Sequence, residues 1–266
     1  MSFFIILTNR LLKVLGALVK GFSFIFHFLF PNKRFTIPSQ RNALFKSVKP
    51  SIVPRIIWQT NYTNKVALPV YINYLFNRIM SPTYEYRYFS TEQRLLFIKE
   101  HASDRVYKAF TRLTDGASQA DLWRLFILNY YGGVYMDIDA HLVWPLSYVI
   151  DDNDEEVFIL NKKHFTNYFM ATKAGNPVLQ KTIDIVVKNI EENNVSGGVY
   201  DLTGPTALNL AIAGANVHHR FYRITCNQGT FTNEYFQYID KPRGKWTYVS
   251  NEQLLNSNEL NKTDRL

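Results

Sequence analysis

An α/β fold built on a mostly parallel sheet is what this chain predicts, on three observations. From residue 52 onward short β-rich runs alternate with helical stretches. Gly and Pro punctuate the joints between them. And 266 residues with 47% hydrophobic content suffice to bury a sheet on both faces. A helix of a different character precedes this domain.

Residues 1–30 are almost wholly apolar, interrupted by Ser2, Asn9, Arg10, Lys13, Lys20 and His27. At about 100° per residue these six share roughly a quarter of the helical circumference, which leaves a wide apolar face. Such a helix suits the plane of a membrane interface, with its cations at anionic headgroups. Residues 14–30 are also just long enough for a spanning signal anchor if Lys20 snorkels. In either role the helix reads as a separable anchor; a buried helix of the main domain is the remaining reading. Residues 31–50, basic and carrying Pro31, Pro38 and Pro50, read as a linker; 51–250 form the globular domain and 251–266 a polar tail.

Within the domain, residues 52–58 read as a buried strand closed by Gln59, Thr60 and Asn61. A helix over 68–80, a strand over 84–89 and a helix over 91–101 follow. Residues 117–131 form a helix that Gly132 and Gly133 stop, and 134–136 a short strand running into Asp137-Ile138-Asp139. Strands at 157–160 and 167–171 and helices at 177–191 and 205–213 complete the pattern. The net charge of +8 implies anionic partners. The basic residues are dispersed, with no zinc-finger spacing or Arg-rich tract, so nucleic acid is excluded in favour of headgroups and phosphorylated ligands. A single cysteine, Cys226, excludes an internal disulfide framework and fits a reducing compartment.

In an extended segment residues i and i+2 point the same way, so Asp137 and Asp139 present two carboxylates together at the carboxyl end of a strand, where α/β sheets bind ligands. Unpaired buried carboxylates are costly, and a hard divalent cation, Mg²⁺ or Mn²⁺, removes that cost while bridging to substrate phosphates. Asp121 and Arg124 are three apart on one helix face: an ordinary ion pair, or part of a ligand site. Gly132 and Gly133 are a helix stop or a close backbone approach to a ligand. Thr203-Gly204-Pro205 reads as a helix N-terminus.

Three blocks, in order and at the expected distances, resemble the DXD-containing glycosyltransferases of family 32, which include fungal initiating α-1,6-mannosyltransferases and bacterial capsule and lipopolysaccharide sugar transferases. Val53-Pro54-Arg55-Ile56-Ile57-Trp58-Gln59-Thr60 is similar to the family's opening Ile-Pro-Lys-Ile-Ile-His-Gln-Thr. The stretch from Ala117 to Arg124 resembles its Ala-x-x-Ser-Asp-x-x-Arg helix, and Tyr131-Gly132-Gly133-Val134-Tyr135-Met136-Asp137-Ile138-Asp139 its acidic turn; Leu202-Thr203-Gly204-Pro205 is a weaker fourth block. The resemblance implies a GT-A type fold and transfer of a hexose from a UDP-sugar or GDP-mannose, with retention, to a glycan or lipid-linked acceptor.

By the same resemblance Asp137 and Asp139 would hold the metal. Asp121 and Arg124 would contact the donor sugar, with Arg124 also near the diphosphate. Gln59, Thr60 and Asn61 would meet the nucleotide, with Gly132 and Gly133 close to the donor, and Thr203 and Gly204 would line the reaction site. Two departures stand out: Trp58 replaces the family's first-block His, and the late His has no counterpart. His218 and His219 are the nearest histidines, but Gly244-Lys245-Trp246 aligns better with the family's late Gly-Ser-Trp, so a third metal ligand is unassigned. The expected setting is the cytoplasmic face of a bacterial inner membrane, or a Golgi-type single-pass arrangement. A non-catalytic carbohydrate-binding module of the same fold is the competing reading.

Overall fold

The computed structural model describes residues 2–256. Helix α1 (Ser2–Leu29) leads into strands β1 (Phe35–Thr36), β2 (Gln40–Arg41), β3 (Ile56–Thr60) and β4 (Lys65–Val66). Helix α2 (Leu68–Met80), β5 (Glu85–Phe89), α3 (Thr91–His101), α4 (Asp104–Arg112) and α5 (Gly116–Tyr131) follow. Strands β6 (Gly133–Met136) and β7 (Ala140–Leu142) flank the acidic turn, and after them come α6 (Leu146–Val149), β8 (Glu156–Asn161), β9 (His164–Thr172), α7 (Pro177–Glu191), α8 (Gly198–Leu202) and α9 (Pro205–Ile212). The remainder is β10 (His219–Phe221), α10 (Tyr222–Thr225), β11 (Cys226–Gln228) and α11 (Glu234–Gln237), with two 3₁₀ turns.

Seven strands form the central sheet in the order β10-β8-β9-β6-β3-β5-β2. β3 runs parallel to β5 and β6, and β10 parallel to β8, but β6–β9, β8–β9 and β5–β2 pair antiparallel. The sheet is therefore mixed, and the expectation of a mostly parallel one holds for its β5-β3-β6 centre and for the β10–β8 edge pair. The reason is local: two residues, Lys162 and Lys163, join β8 to β9, and Lys162 takes a positive φ of 57°. So short a link closes a hairpin, whereas a parallel pair needs a crossover of a dozen residues or more.

Side chains alternate across the sheet as the pleat requires. Ile57, Val134, Met136, Phe169 and Ala171 pack into one layer with α2 and α6; Trp58, Tyr135, Phe158 and Met170 pack into the other with α3, α5, α7 and α9. Helix α5 threads the second layer, its Trp123 wholly buried. Asp115 starts it by accepting from the backbone N–H groups of Ala117 and Ser118, both at 2.9 Å, a cap that contributes about 1 kcal/mol. Gly132 ends it at φ +69°.

Three boundaries differ from the sequence reading. The stretch read as a linker contributes β1 and β2, which pair with β4 and β5. Ile37 is fully buried there and Arg34 forms a two-pronged ion pair with Asp240. At the other end Leu254 is buried and Leu255 bridges to Leu113, so residues 251–256 belong to the domain, while 257–266 lie outside the described residues.

The third difference concerns α1. Asn9, Lys20 and His27 of its polar stripe face the domain: Asn9 donates to the Arg223 carbonyl, Lys20 to the Gly229 carbonyl, and His27 Nε2 accepts from Leu68 N–H. Arg10 and Lys13 are exposed at the flank, and the wide apolar face, with Phe4, Leu11, Leu18, Phe22, Ile25 and Phe28, is left open. A hydrogen bond to a carbonyl that would otherwise be buried unsatisfied is a better partner for Asn9 than a headgroup. The helix is long and apolar enough to cross a membrane, and docks all the same.

Candidate active site

β6 is the central strand, flanked by β3 and β9, and Asp137 lies one residue beyond its end. The ladder continues through Asp137 N–H to the Tyr168 carbonyl at 2.9 Å, and then turns: Ala140 N–H donates to the Asp137 carbonyl at 3.0 Å. Asp137 and Asp139 thus share a tight turn rather than the extended segment first expected, and it is the turn that brings them together. Its backbone is fixed from three sides. Gln59 Nε2 donates to the Asp137 carbonyl, Asn73 Nδ2 to the carbonyls of Ile138 and Ala140, and Gly229 N–H to the Asp139 carbonyl. Ile138 packs into the α2 layer.

Behind the turn lies a buried ionic cluster. Arg124 reaches Asp121 at 2.9 Å and Asp137 at 3.1 Å, donates to the Asn167 carbonyl at 2.9 Å, and lies over the Tyr135 ring at 4.5 Å. Tyr135 donates its hydroxyl to Asp137 at 2.7 Å. Asp121 accepts from Asn167 Nδ2 and from the Thr203 hydroxyl, both at 3.0 Å. Burial alone would lower Arg124, but Asp137, Tyr135 and Asp121 outweigh it and keep the guanidinium charged. Burial, reinforced by the Asp137 charge, pushes Asp139 up to about 6.

These groups form the floor of a cavity of about 800 Å³, of the size that holds a small-molecule ligand. Among the predicted residues Thr60, Asn61, Asp121, Arg124, Asp137, Asp139 and Gly204 line it. Gln59 and Thr203 do not; they hold the acidic turn and Asp121 in place from behind. Gly132 and Gly133 are also absent from the lining and serve the fold. A Cβ on Gly132 would stand 2.7 Å from Ala174 N and one on Gly133 2.8 Å from the Ile56 carbonyl oxygen. Trp58 sits where the family pattern has His, and its indole N–H donates to the Gly132 carbonyl at 2.8 Å. His218 pairs with Asp154 at 3.0 Å and lines a separate surface hollow together with His219.

Several residues of the site escaped the sequence reading. Asn73 and Asn77 left a signal, two amides spaced i, i+4 on the buried face of an amphipathic helix. Asn167 and Gln228 left none. Arg94, buried with neutral partners only, lines the cavity, and burial draws it down to about 10, so it is still cationic at neutral pH. The wall opposite α5 comes from Gln228, Thr232, Asn233, Glu234, Gln237 and Tyr238, joined by the Gly244-Lys245-Trp246 block. Replacing Asn167 by Leu leaves Asp121 short of one donor; the expected result is a loss of about 2 kcal/mol in urea unfolding, and an unchanged midpoint would refute the support assigned to Asn167.

The donor set suits a hard divalent cation. Asp137 Oδ2 and Asp139 Oδ1 converge on one point, now reached by Gln228 Nε2 at 2.8 and 3.3 Å. Among the described residues no group of three or more His, Cys, Asp or Glu side chains gathers to hold a metal. Two carboxylates with substrate phosphates and water completing the shell is a Mg²⁺ or Mn²⁺ arrangement, not a closed zinc site.

An acidic turn at the end of a central strand, set under a ligand-sized cavity with an Asp–Arg cluster behind it, makes a site suited to a polar small-molecule ligand. Residues 69–159, about a third of the chain, match the family described as "Glycosyltransferase sugar-binding region containing DXD motif". That matched region contains Asp137 and Asp139 and carries the family's sugar-binding motif. Over 102 residues it is 30% identical to mannosyl phosphorylinositol ceramide synthase CSH1 of Saccharomyces cerevisiae, a stretch covering 38% of this chain and 27% of the yeast protein. Among solved structures it is similar to PaToxG glycosyltransferase (TM-score 0.46, 17% identity, 60% of this chain and 69% of that one). It is also similar to the UDP-bound glycosyltransferase domain of the YGT toxin (TM-score 0.37, 13% identity, 56% and 54%).

Proposed function

We propose that this glycosyltransferase moves a hexose from a UDP-sugar or GDP-mannose to a glycan or lipid-linked acceptor at a membrane surface, with retention. The observation that carries the reading is the convergence of the Asp137 and Asp139 carboxylates at the cavity floor beside Arg124. A cation held there by the two carboxylates would offset the charge that develops on the departing diphosphate. The chain's own groups do the rest. Arg124, charged and locked between Asp121 and Asp137, places a second positive charge by the same oxygens, and Arg94 adds a third on the cavity wall. Asp121, fixed by Thr203 and Asn167, is set to accept from sugar hydroxyls and so to hold the anomeric carbon in place. Thr60 and Asn61, which line the same cavity, would meet the nucleotide.

The membrane assignment rests on the open apolar face of α1, flanked by Arg10 and Lys13. A lipid-linked acceptor accords with it, as does the name of the yeast relative, a mannosyl phosphorylinositol ceramide synthase. The proposed setting is the cytoplasmic side of a bacterial envelope. The test is nucleoside-diphosphate release from a panel of UDP- and GDP-sugars in Mn²⁺ and in EDTA. Release from one donor, abolished by EDTA and restored by Mn²⁺, is the expected outcome; release indifferent to EDTA would overturn the cation assignment.

A further inference from the structure

We infer that α1 is a working part of the active site: its polar stripe holds residues 225–237 in place as one wall of the cavity. This rests on the cavity being the donor site. The buried positions of the helix are Ile5, Asn9, Leu12, Gly16, Ser23 and His27, a narrow stripe spaced mostly three or four residues apart in which small and polar residues outnumber the two aliphatic ones. Along the helix Asn9, Gly16, Lys20 and Phe24 meet one segment or the residue next to it. Asn9 accepts from Asn227 Nδ2 at 3.1 Å and donates to the Arg223 carbonyl at 2.7 Å. Gly16 lies so close to Thr230 that a Cβ would stand 2.3 Å from the Thr230 carbonyl oxygen. Lys20 donates to the Gly229 carbonyl at 3.3 Å, and Phe24 packs on Phe236 and Tyr235 with ring centroids 4.6 and 5.6 Å apart.

The residues gripped in this way alternate with residues that face the donor cavity. Between Asn227 and Gly229 stands Gln228, whose amide bridges Asp137 and Asp139; after Thr230 come Thr232, Asn233 and Glu234, and after Phe236 comes Gln237. The sheet supports this wall at one end only, through the three-residue pairing of β11 with β7. Beyond Gln228 the wall has no ladder of its own, and α1 supplies the support a neighbouring strand would otherwise give. From Asn9 to His27 the helix keeps contact with the domain over about 27 Å, so the whole length cannot cross a bilayer without drawing the polar wall into hydrocarbon. The helix lies in the interface with its apolar face toward lipid, and membrane seating and site assembly share one element. Asn9, Gly16 and Lys20 are positioning residues acting through Gln228 and its neighbours, and α1 is not the separable anchor first expected.

The test uses the full-length chain in vesicles containing anionic lipid, with Gly16→Leu and Asn9→Leu. Both substitutions add apolar area, so vesicle binding should be retained, and lost turnover cannot come from weaker membrane association. The expected result is faster amide exchange across residues 226–237 with exchange in β3 and β6 unchanged. With it should come a fall in kcat for donor hydrolysis of tenfold or more and a higher Mn²⁺ concentration for half-saturation. Wild-type exchange and wild-type kinetics in both folded variants would overturn the inference. If the wild-type protein itself releases no nucleoside diphosphate, the functional reading fails, and the exchange measurement alone decides whether α1 holds the wall. Should Gly16→Leu fail to fold, Asn9→Leu, which removes both side-chain hydrogen bonds of Asn9 to the segment, carries the test.

Discussion

Asp139→Asn is expected to lower donor turnover roughly a thousandfold, the equivalent of about 4 kcal/mol in the barrier, while leaving the fold intact. The amide cannot carry the charge that holds a divalent cation against diphosphate oxygens. Its effect on stability runs the other way. Asp139 in the folded protein titrates at about 6, above the usual carboxylate range, because burial and the neighbouring Asp137 charge disfavour its ionised form. Between about pH 4 and 6 the folded state binds more protons at this position than the unfolded chain, so this contribution to stability falls as pH rises through that window. An asparagine never ionises. The variant should therefore melt a few degrees higher than the native protein at about pH 8 and alongside it at about pH 4. Equal melting temperatures on the alkaline side, or an Asp139→Asn enzyme that still turns over, would contradict the account.

Arg124→Met should cost both stability and activity. The guanidinium is buried among Asp121, Asp137, the Tyr135 ring and the carbonyl of Asn167. Removing it leaves two carboxylates facing each other, one of them wholly enclosed, and breaking such a buried pair from one side costs about 3–5 kcal/mol. Adding Asp121→Asn to Arg124→Met removes the stranded charge and should recover most of that loss in urea unfolding without restoring turnover. A single variant that unfolds like the wild type would show that the cluster is solvated and the ion pair incidental.

The chemistry was more legible in the sequence than its supports. Asp137 and Asp139, Asp121 and Arg124 stood out because each pair is close in sequence and lies next to a helix or strand end that local rules predict. Gln59 stood out too, but its role differs from the one its position suggests, since it steadies the acidic turn from behind instead of meeting a ligand. Gly132 and Gly133 had two readings, and their contacts with Ala174 and Ile56 decide for the fold. Asn167, 46 residues from Asp121, and Gln228, 91 from Asp137, carried no such signal, since a lone amide in a short strand looks the same whether it faces a carboxylate or water.

Local pattern alone settles whatever depends on neighbours along the chain: the longer helices α2, α3, α5 and α7, the strands β3, β5 and β6, the stop at Gly132, the place of Asp137 and Asp139 just past β6 and the amphipathic character of α1. Which way the stripe on α1 faces, whether the sheet is parallel or mixed, and which segment walls the cavity emerge only once the chain has packed. Each depends on a hydrogen-bond partner or a packing surface brought in from far along the chain. Asn9 has equal claim on a headgroup and on the Arg223 carbonyl until residues 222–237 fold beside it, and then the buried carbonyl, which has no water to turn to, wins.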